Sequence, residues 1–199
     1  MADLASPLSI KDNTANPAPL GLFAFGTTTI LLNLANAGVI KLSIVILSMG
    51  IFYGGLAQVI AGCLEWKKNN TFGTTAFLSY GFFWLTLVAI FLLPSFFPNQ
   101  APDDPSLGWY LLIWGLFTLG LFIGTFRLSV ALMVVFGSLT LLFFLLSAEH
   151  FAHPGEAFSH FTGYEGIFCG ASACYTGLAL LLNEVYGGIV LPLGLVRKA

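Results

Sequence analysis

Four side chains recur along one apolar stretch at spacings of four, four and three: Phe25, Thr29, Asn33 and Asn36, with Thr28 beside them. On a helix they share one face. Hydroxyls and carboxamides on such a stripe offer hydrogen bonds without charge, which can replace the hydration of a small solute and still release it. In hydrocarbon an unpaired amide is costly, so these groups either bond to neighbouring helices or meet a solute. The sequence leaves both readings open. Uncharged polar residues recur in later stretches: Tyr53 and Gln58; Thr75, Ser79, Tyr80, Trp84 and Thr86; Ser138 and Thr140; and Ser172, Tyr175, Thr176 and Asn183. Ser172, Thr176 and Asn183 fall on one side of a helix. No Lys or Arg lies in the middle of any stretch, which argues against a tight, fixed-cation site.

The ionisable groups near these stretches are Glu65 and Glu184 at their ends and Glu165 at the start of the last one. Each either rests in the interface beside a base such as Lys67 or Arg197, or carries a proton during transport. His150, His153 and His160 lie in a Pro/Gly segment without metal-type spacing and read as surface residues. Asn16-Pro17 reads as a helix start, whose unpaired N–H groups also attract anions. Cys63, Cys169 and Cys174 sit in apolar runs and read as small buried hydrophobes rather than a metal or disulfide set. Nucleophile, zinc and phosphate-loop motifs are lacking, so an enzyme is not expected, and neither is a cofactor or a metal.

The elements that must position these groups follow from composition. The chain is 57% hydrophobic and 8% charged, against roughly 25% charged in a soluble domain. That much apolar surface must face lipid, so the expected fold class is an all-α membrane protein. The net charge of -2 is too small to indicate a nucleic-acid partner. Polar and Pro/Gly punctuation marks off six transmembrane helices, at about 20 to 38, 42 to 64, 72 to 93, 107 to 126, 129 to 148 and 163 to 186, each near the length a helix needs to cross a bilayer. The expected organisation is a polar tail over 1 to 15, a six-span domain over 16 to 192 and a second tail over 193 to 199, with a loop from Glu149 to Phe161. Two inverted three-helix halves are a further expectation. With a cytoplasmic N-terminus, Lys11, Lys67, Lys68, Arg127, Arg197 and Lys198 lie inside and Lys41 alone lies outside, a bias that places both termini in the cytoplasm.

Five motifs in order point to a family: Asn16-Pro17-Ala18-Pro19-Leu20-Gly21-Leu22; Phe25-Gly26-x-Thr28-Thr29 with Asn33-Leu34-x-Asn36; Met49-Gly50-Ile51-Phe52-Tyr53-Gly54-Gly55; Asn70-Thr71-Phe72-Gly73; and Cys169-Gly170-Ala171-Ser172-Ala173. Together they resemble the acetate uptake transporter family, the succinate/acetate permeases, from about residue 16 to Val190-Leu191-Pro192. The resemblance implies a multi-pass protein of a prokaryotic inner membrane, a homo-hexamer in which each six-helix protomer holds its own acetate path, by channel or proton symport. It also implies a narrowest point at Phe25, Tyr80 and Leu139, and a substrate-selecting small residue at Ala173. The path would then comprise these four residues with Thr28, Thr29, Asn33, Asn36, Ser172 and Thr176. Glu65, Glu165 and Glu184 are the candidates for proton coupling. Two other readings stand beside it: a channel for a neutral solute such as water, ammonia or urea, and a membrane scaffold that transports nothing.

Overall fold

The computed structural model describes residues 14–196. The outer parts of both expected tails, with Lys11, Arg197 and Lys198, lie outside the described residues. Six helices are long and apolar enough to span a membrane: α1 Ala18–Asn36, α2 Ile44–Lys67, α3 Thr71–Ser95 with its last turn tightened, α4 Asp104–Thr125, α5 Val130–Ala152 and α6 Glu156–Val185. Among the described residues there is no strand, only one isolated bridge between Ser129 and Leu195.

Local chemistry sets the helix ends. Asn70 caps α3 by accepting from the Gly73 amide, Ser129 caps α5 by accepting from the Leu132 amide, and Asp103 caps α4 by accepting from Ser106. The hydrogen bonds from Ser106 hold the exposed Asp103 carboxyl below the usual carboxylate range. Proline follows the cap in α4 and sits at the start of α1, where a missing N–H removes no helical bond.

Inside the helices many hydroxyls bond back to a carbonyl one turn earlier, as Thr27 does to Phe23, Thr86 to Phe82 and Thr140 to Phe136. The backbone therefore absorbs much of the polar content that could have joined helices together. A few bonds do cross between helices, including Ser147 to the Gly108 carbonyl at 2.9 Å.

α1 lies along α6 more extensively than along any other helix. Glycine makes this possible, since a Cβ on either Gly26 or Gly170 would stand 2.6 Å from the other's carbonyl oxygen. α2 packs on α3, and α4 on α5. The middle of α2, Gly50–Ala57, is wound as a π-helix, a departure that its apolar periodicity does not announce. There Gly54 receives the Thr28 methyl group and the Trp84 ring, both about 2.9 Å from where its Cβ would be.

Two expectations need correction. The segment from Glu149 to Phe161 is not a loop: α5 continues to Ala152 and α6 begins at Glu156. Only His153, Pro154 and Gly155 turn the chain, with His153 at φ 45 and Gly155 at φ 97, so His150 and His160 sit on helices. α4 begins at Asp104, a turn earlier than its hydropathy places it, because Asp103 and Pro105 start the helix before the apolar run begins. Beyond α6 the chain returns to the start of α5: the amides of Val130 and Ala131 donate to the carbonyls of Gly194 and Leu193, and the amide of Val196 donates to the Leu128 carbonyl.

Candidate functional site

Between α1, α3 and α5, with Asp104 and Leu111 from α4, lies a cavity of about 550 Å³ that opens toward the α5–α6 turn. Thr29, Asn33 and Asn36 of α1 line it, opposite the apolar Phe83, Leu87, Leu142 and Phe143. The two amides are organised within α1: Asn33 donates from Nδ2 to the Thr29 carbonyl at 2.9 Å, and Asn36 donates from Nδ2 to Asn33 Oδ1 at 3.0 Å. Asn33 is held against α6, where Gly166 leaves no Cβ to obstruct it. The amides of the α1 stripe therefore bond within their own helix and border open space.

A second, smaller cavity of about 80 Å³ lies toward the α2–α3 connection and is lined by Leu22, Phe72, Phe77, Phe136 and Gln58 among others. Phe25 and Leu139 border both cavities, and Tyr80 borders the second. All three are buried, and the Phe25 and Tyr80 rings lie 5.9 Å apart at an interplanar angle of 44°. They divide the axial space. Tyr80 is fixed from behind by Thr118 of α4, with 2.9 Å between their oxygens. Because the Thr118 hydroxyl already donates to the Trp114 carbonyl at 2.7 Å, the tyrosine is the donor. Trp114, Phe117 and Phe136 surround the same ring at 6.0 to 6.2 Å.

The remaining sequence candidates lie elsewhere. Thr28 is buried against α2, and Ala173 is buried in the core; neither cavity touches them. Ser172 and Thr176 also lie off both cavities, Ser172 donating to Cys169 and Thr176 to Ser172 within α6. They share one helical face, on the side of Cys169, whose thiol reaches the Val135 carbonyl of α5. Asn183, one side of the same stripe, instead holds the returning chain: its Oδ1 accepts from Val190 and Leu191, and its Nδ2 donates to the Leu191 carbonyl.

Glu65 is buried and accepts from Asn70 at 2.7 Å, while its other oxygen has no partner. Glu165 has both carboxyl oxygens buried without a partner. Glu184 is exposed at the end of α6.

Gln58 and Trp84 stand out in the structure more than in the sequence reading. Gln58 is wholly buried beside the smaller cavity with both amide atoms unpaired, and Trp84 borders the larger one with its N–H unpaired, as is the Thr29 hydroxyl. The cost of an amide in hydrocarbon, applied to Asn33, applies equally to Gln58 and could have marked it. Thr118 has no such signal, because only packing brings it to Tyr80.

Fold and site define a polytopic helical membrane protein whose spans enclose a polar vestibule closed by an aromatic partition. The chain belongs to the GPR1/FUN34/yaaH family, whose sequence profile matches residues 5–194. It is 56% identical over 180 residues to the succinate-acetate/proton symporter SatP of Escherichia coli K12, covering 90% of this chain and 95% of that one. It is 41% identical to the ammonia transport outward protein 2 of Saccharomyces cerevisiae, over 69% of this chain and 51% of the yeast protein. The structure of the bacterial acetate channel SatP superposes with a TM-score of 0.89 at 55% identity, over 92% of this chain and all of that one.

Proposed function

We propose that this chain transports acetate and related short monocarboxylates along the axis between α1, α3 and α5, with Phe25, Tyr80 and Leu139 as the gate. The observation that carries the reading is that Phe25 and Leu139 border both cavities while Tyr80 closes the smaller one. Three such side chains meeting in a narrow pore exclude water by dewetting. Acetate enters through the vestibule, where Thr29, Asn33 and Asn36 supply hydrogen bonds in place of water. Its methyl group suits the apolar partition. The unpaired Thr29 hydroxyl and Trp84 N–H are donors that a carboxylate lodged beside Phe25 satisfies after small side-chain rotations; leaving such groups unpaired costs about 1–3 kcal/mol each. The likeness to the symporter of Escherichia coli supports acetate and succinate as the substrate class.

The protein works in a prokaryotic inner membrane with both termini cytoplasmic, as a homo-hexamer with one path per protomer. If the path is proton-coupled, Glu165 and Glu65 are the carriers, being the buried carboxylates with unpaired oxygens. Saturable uptake of labelled acetate into proteoliposomes, altered by Leu139→Ala, is the expected result. No acetate flux at any pH overturns the proposal. Swelling assays with ammonia, urea and water test the neutral-solute reading, to which the yeast relative's name lends its only specific support.

A further inference from the structure

The smaller cavity holds one polar side chain that no other part of the described chain uses. Gln58 is wholly buried on its wall, and neither the carbonyl oxygen nor the NH2 group of its carboxamide bonds to the protein. The other polar side chains on that wall are committed: Asn70 donates to Glu65 and accepts from the Gly73 amide, and Tyr80 donates to Thr118. Among the described residues no Lys or Arg lines the cavity, and Leu22, Phe72, Phe77, Val135 and Phe136 make most of the wall apolar. The backbone before the glutamine is unusual as well. The π-helix Gly50–Ala57 is followed directly by Gln58, and its wider turn sets which way that side chain faces.

We propose that the smaller cavity is a binding site for the undissociated acid, in which Gln58 pairs with the whole carboxyl group. The inference rests on the carboxylate path described above and specifies the form in which the solute passes its inner part. A carboxamide presents a donor and an acceptor side by side. A protonated carboxyl group is the complement: its O–H donates to Oε1 while its carbonyl accepts from Nε2, so both ends of Gln58 are satisfied. A half-turn of the carboxamide exchanges the two roles and leaves the match intact. A carboxylate satisfies only the NH2 end and sets its second oxygen against Oε1, acceptor against acceptor. It also leaves water for a place without a base to face it. Water is poorly served too, since it needs two to four polar partners and the wall offers one amide. The space suits a short acid: one water needs about 10–15 Å³, and the cavity measures about 80 Å³, its apolar wall left for the alkyl end. In the vestibule the anion takes up its proton from water, where the two forms exchange, and carries it through the partition. Over this stretch the proton rides on the solute, so a carboxyl carrier is required only on either side of it.

Acids and their anions interconvert, and acids also leak through lipid, so the test uses probes of fixed form. Acetamide is neutral and carries the same donor–acceptor pair as the acid; methanesulfonate is a permanent anion with acceptors only. In proteoliposomes at neutral pH, acetamide should compete with labelled acetate, and labelled acetamide should enter faster than it enters protein-free vesicles. Labelled methanesulfonate should not enter. Gln58→Met keeps the bulk and removes both bonds, and should cut the protein-dependent entry of acetamide about tenfold with the elution profile unchanged. Binding can also be read without touching Gln58. The chain has two glutamines, Gln58 and the exposed Gln100, so protein labelled with nitrogen-15 at its glutamine side chains gives two carboxamide signals, told apart by the loss of one in Gln100→Asn. Acetamide should move the Gln58 signal and leave that of Gln100, and methanesulfonate should move neither. A Gln58 signal that acetamide does not move, or methanesulfonate entry as fast as that of acetamide, overturns the site while acetate uptake persists. Absence of acetate uptake by the unmodified protein overturns the carboxylate path, and the passage of the acid with it.

Discussion

Tyr80 shows how one side chain takes part in both packing and passage. Its ring faces Phe25 at the partition while its hydroxyl donates to Thr118 on the far side. Tyr80→Phe keeps the ring and loses that bond, which should cost about 0.5–1.5 kcal/mol and loosen the gate more than the fold. Acetate flux should change while the elution profile of the purified protein stays the same. Leu139 has no polar partner to lose. Leu139→Ala opens the partition directly, at a cavity cost of about 2–5 kcal/mol, and should raise the passage of larger carboxylates relative to acetate, as measured by uptake of labelled homologues. Glu165→Gln separates the transport modes: if Glu165 carries the proton, accumulation driven by a pH gradient is lost while downhill acetate flux persists. Accumulation that survives the substitution removes Glu165 from the mechanism.

At the scale of elements, the vestibule depends on how closely α1 approaches α6. A Cβ at Gly166 would lie 2.2 Å from Asn33 Cγ. Gly166→Ala must therefore push Asn33 away and disturb the Asn33–Thr29 and Asn36–Asn33 bonds. The expected loss is about 1–3 kcal/mol, read as a lower thermal midpoint in detergent, with acetate uptake reduced in whatever protein remains folded. The start of α4 carries a pH dependence of its own. The Asp103 carboxyl is held below its usual range by Ser106, so its stabilising effect is complete above the ordinary aspartate value of about 3.9 and fades as the pH falls through the lower, folded value. Amide exchange at Ser106 and Leu107 should be faster in Asp103→Ala than in the parent at neutral pH, and the difference should vanish in strong acid.

At the scale of the molecule, the charges predict orientation. Lys41 follows the end of α1, on the side of the vestibule mouth, while Lys67, Lys68 and Arg127 lie at the opposite ends of the helices. In a background without Cys63, Cys169 and Cys174, a cysteine at position 41 should react with an impermeant thiol reagent in intact cells, and one at position 67 only after lysis. The reverse pattern would turn the mouth toward the cytoplasm. Ile113, Leu116 and Ile123 on α4 and Phe52 and Ile60 on α2 are exposed, so these faces meet lipid or neighbouring protomers.

The six spans, the positions of the charges and the uncharged character of the path are written in the sequence, because hydropathy over some twenty residues and the placement of seven bases are sums over local composition. The stripe from Phe25 to Asn36 was also legible, since helical spacing alone puts those residues on one face. Which stripe faces the axis is decided elsewhere. Thr28 and the Ser172–Thr176 face have the same chemistry as Thr29 and Asn33 but line neither cavity: Thr28 packs on α2, and Ser172 and Thr176 bond back along α6. That outcome depends on Gly26, Gly54, Gly166 and Gly170 letting particular backbones touch. The contact between Asp104 and His150 is tertiary in origin too: the two lie 46 positions apart in the chain, and only the packing of α4 on α5 sets one against the other.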